Sequence, residues 1–161
     1  MPDIGEIELP TGHLWQRPGY LIRRLNQIHH ALFFECCQEF IVTPVQYGLL
    51  TTLSERPGLD QTSLCLELGV DRTTMADVLR RLEQRGMVKR EASEADGRHK
   101  LTYITPKGSR LMKKMYGKMR EAQTRLLEPL PVAARIKFVE LMTILVEANN
   151  QYGRTSVKAF E

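Results

Sequence analysis

The sequence has few cysteines, and it has no long apolar run. Two of its three cysteines, Cys36 and Cys37, are adjacent, so a secreted disulfide framework is not expected. No stretch of about 18 or more apolar residues occurs, which argues against a membrane-spanning helix. The first thirteen residues are polar and acidic, without the apolar core of a signal peptide. For 161 residues these features predict a cytoplasmic protein with a single structural domain.

The sequence also lacks the common catalytic and metal-binding patterns. It has no glycine-rich phosphate loop, no nucleophile elbow and no HExxH motif. None of its four histidines has a neighbouring Ser–Asp arrangement that suggests a triad. A metal site joining His29 to Cys36 is disfavoured, because seven residues of helix separate them by about 10 Å. We therefore expect neither an enzyme nor a bound cofactor or metal.

What the sequence does contain is a series of helix and turn signals between Asp60 and Gly108. Asp60 and Asp71 are favourable N-cap residues, and Gly69 and Gly86 are typical residues just beyond a helix end. The spacing predicts two short helices across a tight turn at Gly69. This arrangement is a helix-turn-helix.

The second of these helices is amphipathic. Its apolar positions follow the helical spacing i, i+3, i+4, i+7 and are Met75, Val78, Leu79 and Leu82. Its N-terminal end presents Arg72, Thr73 and Thr74. Arginine can bind guanine through two hydrogen bonds, and threonine can contact a phosphate or a base edge. The helix is thus suited to a DNA major groove, although a merely solvated amphipathic helix would show the same periodicity.

Two β-prone runs, 87–90 and 101–104, flank a polar segment that contains the turn signal Asp96-Gly97. They predict a two-stranded hairpin, or wing, directly after the second helix. Arg98, His99 and Lys100 would place positive charge at its tip, which suits a narrow minor groove. Asp96 could pair with Arg98 and orient it.

The distribution of charge supports a nucleic-acid partner. Residues 69–114 hold 12 Lys and Arg against 6 Asp and Glu, a local charge of +6 within a chain of net charge +4. Residues 1–68 carry −4 by the same count. The positive charge is therefore concentrated on the predicted helix-turn-helix, the wing and the start of the next helix.

Three stretches of the sequence, taken in order, resemble the MarR family of winged helix-turn-helix repressors. They are VTPVQYGLLTTL, LGVDRTTMADVLRRLEQRGMVKR and DGRHKLTYITPKG. The resemblance covers about residues 43–111. It implies a mostly α fold with a small β-hairpin wing. It also implies a ligand-responsive regulator that binds double-stranded DNA as a homodimer on a palindromic operator. The expected DNA-binding residues are polar residues of the helix-turn-helix and wing: Thr62, Ser63, Arg72, Thr73, Thr74, Asp77, Arg80, Arg81, Lys89, Arg90, Arg98, His99 and Lys100.

The flanking helices have an expected role in dimerisation. Residues 1–42 and 112–161 are assigned to a dimerisation region, and residues 43–111 to the DNA-binding region. A first helix is predicted from Pro18 to about Phe40, a second from the Thr43 capping box to about Glu55, a long helix from Thr105 through about Leu127, and a last one to about Asn149. The first helix has an apolar stripe formed by Leu21, Leu25, Ile28 and Leu32. These helices could instead form a larger monomeric core.

The resemblance further implies a small-molecule effector, often an aromatic anion, between the dimerisation helices and the DNA-binding head. A weaker similarity to regulators of aromatic-acid catabolism indicates an aromatic carboxylate or its CoA thioester. Aromatic side chains near cations suit such a ligand. The candidate ligand-binding residues are Trp15, Arg17, Tyr20, Arg23, Arg24, Gln27, His30, Phe34 and Tyr47. Surface or interface charges and core aromatics are the alternative interpretation of this stretch.

Two other functions stay open. Cys36 and Cys37 could serve a thiol-based redox-sensing regulator, but adjacent helical positions suit an intrachain disulfide poorly, and Glu35 and Glu39 would disfavour a thiolate. A winged helix could also bind protein rather than DNA. Such a module would not need the concentration of charge on the helix and wing.

Overall fold

The structure is a computed structural model that describes residues 13–93 and 100–153. Its helices and strands, in chain order, are α1 (Pro18–Cys37), α2 (Pro44–Glu55), β1 (Leu59–Asp60), α3 (Gln61–Leu68), α4 (Arg72–Gln84), β2 (Val88–Ala92), β3 (Lys100–Ile104), α5 (Pro106–Leu127) and α6 (Val132–Ala148). Short 3-10 turns occupy Leu14–Gln16, Gln38–Phe40 and Asn150–Tyr152. The predicted fold class, mostly helical with a small antiparallel wing, is confirmed.

The predicted helix starts are confirmed by their cap hydrogen bonds. The Gln46 amide donates to Thr43 Oγ1 at 3.2 Å, and the Thr43 amide donates to Gln46 Oε1 at 3.1 Å, which completes a capping box. Asp60 Oδ1 accepts from the Ser63 amide at 2.7 Å, and Asp71 Oδ1 accepts from the Thr74 amide at 2.9 Å. These bonds satisfy amides that the first helical turn would leave unpaired.

The first helix is shorter than predicted. It ends at Cys37 rather than Phe40, and the chain continues in the 3-10 turn Gln38–Phe40. Ile41 then adopts a left-handed conformation with φ +52°. The tighter turn and the left-handed residue reverse the chain, so that Thr43 can begin α2.

The wing belongs to a three-stranded antiparallel sheet of order β1-β3-β2. Arg90 pairs with Thr102 on one side, and Leu59 pairs with Thr102 on the other. The predicted two-stranded hairpin was therefore incomplete. Two residues are too few to show strand periodicity, and β1 forms only because the fold brings it beside β3.

Two apolar clusters hold the chain together. The head cluster contains the predicted inner face of α4, namely Met75, Val78, Leu79 and Leu82, packed on α2 and α3. The α1–α5 cluster is built on Phe33, Cys37, Val42 and Met115. Leu111 on α5 packs against both clusters. The head is thus joined to the α1–α5 pair through one continuous helix.

Helix α6 contrasts with the rest of the fold because it has no buried residue in the single chain. Its apolar side chains are exposed, among them Leu141 at 49% and Leu145 at 58%. The predicted apolar stripe of α1 is similar, because its Leu21, Leu25 and Ile28 are exposed in the single chain. Among the described residues, no helix is both long and apolar enough to cross a bilayer.

Candidate nucleic-acid interface and ligand cavities

The start of α4 presents three of the predicted DNA-binding residues to solvent. Arg72, Thr73 and Thr74 are all exposed. The Thr74 hydroxyl donates to Asp71 Oδ2 at 2.8 Å, so Asp71 holds both its side chain and its amide. Gln61 Nε2 donates to the Arg72 carbonyl at 3.0 Å and ties α3 to α4. These hydrogen bonds therefore fix the N-terminal end of α4 in the absence of DNA.

Four predicted DNA-binding residues meet in one depression between the helix-turn-helix and the wing. Thr62, Arg72, Arg90 and Lys100 line this space of about 250 Å³. Thr102 is 1% exposed and forms its floor, since β3 places it on the same face as Lys100. Three cations converging on one concave surface provide an electrostatic site suited to a phosphate backbone.

Arg90 is held in this depression by Glu83. Its Nε donates to Glu83 Oε2 at 3.0 Å, and its Nη2 donates to the same oxygen. The hydrogen bond from Arg90 lowers the pKa of Glu83. Lys89 points to the opposite face of β2, where it pairs with Glu91 and lies 5.5 Å from the Tyr103 ring centroid. Lys89 and Arg90 therefore cannot contact DNA from the same face of the wing.

Asp77 organises the middle of α4. It accepts from Arg80, and Arg81 Nε lies 2.7 Å from its Oδ2. The hydrogen bond from Arg80 lowers the pKa of Asp77. Arg81 also lines a second cavity, whose walls include the end of α1 and the linker between α1 and α2. Contact of Arg80 or Arg81 with DNA would thus require them to share or release Asp77.

Two of the predicted DNA-binding residues, Arg98 and His99, lie outside the described residues, as does the Asp96-Gly97 turn. Ser63 is partly buried, and its amide serves the Asp60 cap. These residues stay predictions from the sequence.

The predicted effector residues of α1 form a cluster on its N-terminal half. The Trp15 and Tyr20 rings meet edge to face at 5.2 Å, and the Arg23 guanidinium lies 5.2 Å from the Tyr20 centroid. Arg24 Nη1 donates to Gln27 Oε1 at 2.8 Å. Nearby, Arg17 is exposed and occupies the N-cap position of α1 without a side-chain cap hydrogen bond. The cluster offers aromatic surface beside cations, but it lies on the exposed side of the helix.

Tyr47 lies elsewhere, in a cavity of about 360 Å³ between α2 and α5. Thr51, Ser54, Lys113 and Tyr116 also line this α2–α5 cavity. Burial raises the pKa of Tyr47. Lys113 supplies a cation that the sequence does not predict for this site, because nothing in the local pattern of α5 distinguishes it from a solvated lysine.

His30 and Phe34 belong to a further part of α1. Their rings are 6.3 Å apart, and Phe34 lines the cavity that contains Arg81. A single chain therefore distributes the nine predicted effector residues over three places. Which elements pack against these residues is decided by the tertiary fold and not by the local sequence.

The cysteine pair has a neighbour that local sequence could not reveal. Arg125 on α5 donates to Glu35 Oε1 at 2.9 Å and lies 3.6 Å from Cys36 Sγ. Burial raises the pKa of the Cys37 thiol. In the part of the chain that the structure describes, no group of His, Cys, Asp and Glu is arranged to hold a metal ion.

Comparison with known proteins agrees with this geometry. The family model described as "MarR family" matches residues 42–100. A putative transcriptional regulatory protein for the hcr operon of Thauera aromatica is 37% identical over 67 residues, which are 42% of this chain and 40% of that protein. The chain thus matches less than half the length of this relative.

Solved structures extend the similarity to most of the chain. The PcaV transcriptional regulator of Streptomyces coelicolor, in complex with its natural ligand, is 32% identical with a TM-score of 0.80. The match covers 85% of this chain and 96% of PcaV. The transcriptional repressor CouR, bound to a 23-mer DNA duplex, is 27% identical with a TM-score of 0.79, covering 86% of this chain and 99% of CouR. With its helix-turn-helix, its wing and these relatives, the chain belongs to the MarR family of DNA-binding transcriptional regulators.

Proposed function

We propose that the chain is a cytoplasmic repressor that binds a palindromic operator as a homodimer and is released by an aromatic carboxylate or its CoA thioester. Residues 43–111 form the DNA-binding region. Residues 1–42 and 112–161 form the dimerisation region. The protein acts by binding and has no catalytic role. The observation that carries this proposal is the apolar helix α6 with no buried residue in the single chain.

An exposed apolar helix is a costly feature for an isolated chain. Leu141, Leu145 and Ile136 on α6, and Leu21 and Leu25 on α1, all expose apolar surface. Patches of this kind mark interaction surfaces. A second copy of the same chain would cover both helices in a two-fold dimer, because each copy offers the same surfaces.

A two-fold dimer would also place two copies of α4 on one palindromic operator. A symmetric pair of α4 helices would enter successive major grooves, and their operator half-sites would lie about one helical turn apart. Arg72 and Thr73 would contact base edges, while Arg90 and Lys100 would hold phosphate at the wing root. CouR, which resembles this chain in fold and sequence, was solved on a DNA duplex.

In this proposal the effector would bind in the α2–α5 cavity. Lys113 would pair with the carboxylate, and Tyr47 and Tyr116 would flank its ring. The Trp15–Arg24 cluster would complete the site from the partner chain, since Trp15, Arg17 and Arg23 are exposed on the single chain. PcaV was solved with its natural ligand, which supports a ligand-responsive role for this branch of the family.

The direct test measures DNA binding and its release. Fluorescence anisotropy with the DNA upstream of the coding sequence should show binding that weakens steeply from 50 to 200 mM salt (on the order of 10³-fold), as phosphate contacts release counterions. Arg72→Ala should weaken binding, whereas Arg120→Ala on the exposed side of α5 serves as a matched control. A screen of aromatic carboxylates and their CoA esters should find one that releases the DNA. Salt-insensitive or absent binding would favour a protein-interaction module instead.

A further inference from the structure

The cavity lined by Arg81 shares no lining residue with the α2–α5 cavity. It has a volume of about 550 Å³, and its walls come from the end of α1, the α1–α2 linker and the end of α4. We call it the linker cavity. Phe34, Cys37, Ile41 and Val42 supply apolar wall, and Arg81 and Arg85 supply two guanidinium groups. Its size and mixed lining are those of small-molecule sites.

Arg85 is the distinctive feature of this cavity. Its Nη1 donates to the Ile41 carbonyl at 2.6 Å, and its Nη2 donates to the Phe40 carbonyl at 3.1 Å. Both acceptors are neutral. Within residues 13–93 and 100–153 no carboxylate lies within ion-pair distance of Arg85, whereas Arg81 is paired with Asp77. A guanidinium bound only to carbonyls would form stronger, charge-assisted bonds with a carboxylate.

The linker itself is under conformational strain. Ile41 has φ +52°, a region that a β-branched residue rarely adopts, and its side chain is 80% exposed. Backbone strain of this kind clusters at binding and switch sites. Apolar contact between the Ile41 side chain and a bound ring would remove part of that exposed surface from water.

We propose that the linker cavity binds a small ring-bearing carboxylate, with Arg85 as its anchor and with Phe34, Ile41 and Val42 against the ring. The apolar wall selects the ring, and the fork of Arg85 selects the carboxylate. This site is separate from the α2–α5 cavity, so it does not rest on the proposed effector site. A bound carboxylate would draw Arg85 away from the Phe40 and Ile41 carbonyls. It would thereby weaken the hydrogen bonds that join the end of α4 to the linker between α1 and α2.

The test uses the full chain without DNA and 4-fluorobenzoate as the probe. Fluorine NMR titration gives its affinity, and intermolecular NOEs to labelled methyl groups give its location. We expect NOEs from the probe ring to the Ile41 and Val42 methyl groups. Probe NOEs confined to Met112, which lines the α2–α5 cavity, would overturn the proposal.

Two tryptophan variants give a matched comparison. Gln38 and Ser54 are exposed polar residues, one at the linker cavity and one at the α2–α5 cavity. Gln38→Trp should abolish the NOEs to Ile41 and Val42 by filling the linker cavity. Ser54→Trp should leave them intact. Unchanged NOEs in Gln38→Trp, with the indole in place, would overturn the proposal.

A second pair of variants tests the anchor. Arg85→Lys keeps the charge but loses the fork, so the affinity measured at the Ile41 and Val42 methyl groups should fall about tenfold. Arg81→Lys should change it much less, because Arg81 is already paired with Asp77. Equal affinity in wild type and Arg85→Lys would refute the role of Arg85, whether or not Gln38→Trp folds.

Discussion

Truncating Leu141 and Leu145 to alanine should weaken self-association while leaving the DNA-binding head folded. The two residues are four apart on α6, so they share one face, and they are 49% and 58% exposed. Burying a leucine side chain completely is worth about 1.5–3 kcal/mol. Together the two residues expose about as much surface as one fully exposed leucine, so a dimer that covers them would gain roughly the burial of one leucine per chain.

In a two-fold dimer the double variant removes this contribution from both chains. Allowing for the Cβ that alanine retains, the double variant should cost about 2–5 kcal/mol of dimerisation free energy. The dimer dissociation constant should then rise by about 30-fold to several thousandfold, because 1.4 kcal/mol corresponds to a factor of about ten. Neither residue packs in the head cluster, so the head should keep its helical circular dichroism.

Sedimentation velocity over a concentration series is the appropriate assay. Wild type should sediment as a dimer at low micromolar concentration, and Leu141→Ala/Leu145→Ala should dissociate there. Lys137→Ala is the control, since Lys137 is an exposed polar residue on the same helix and pairs with Glu140. A wild-type monomer at all concentrations, or a double variant as tightly dimeric as wild type, would refute the reasoning.

Three further predictions follow from the site. Arg72→Ala should cost about 1–3 kcal/mol of operator binding and relax specificity at one base pair, which a panel of single-base operator variants would reveal; equal loss on every sequence would make Arg72 a phosphate contact. Arg23→Ala should blunt release by the effector while DNA binding persists, and a normal effector response in anisotropy would refute the placement of the α1 cluster. Glu83 has a lowered pKa in the folded state, so its ion pair with Arg90 stabilises the fold above the unfolded pKa and is lost as pH falls through the folded pKa. Glu83→Gln should therefore reduce the loss of thermal stability between pH 7 and about pH 3, and an unchanged loss would show that the pair adds no stability.

Local chemistry made much of the fold predictable. Thr43, Asp60 and Asp71 are caps whose hydrogen-bond partners lie three residues away, so their roles depend on the near sequence alone. The inner face of α4 was predictable for the same reason, because helical periodicity is fixed by backbone geometry. The family's DNA-binding pattern depends on these local signals, so it is recognisable from the sequence alone.

Contacts between distant residues were not predictable. β1 exists only through its pairing with β3, more than forty residues later in the chain. Arg125 meets Cys36 across 89 positions, and Arg85 meets Ile41 across 44. No local periodicity records which side chains will meet in this way.

The sequence by itself determined the helices, their caps and the chemistry of the reading helix, because each depends on residues within a few positions of one another. Only the tertiary structure decided that Arg72, Arg90 and Lys100 share one depression, that the predicted effector residues are dispersed, and that α6 is left uncovered. The physical reason is the same in each case. Local geometry sets which face a side chain occupies, but packing between distant elements sets what that face meets.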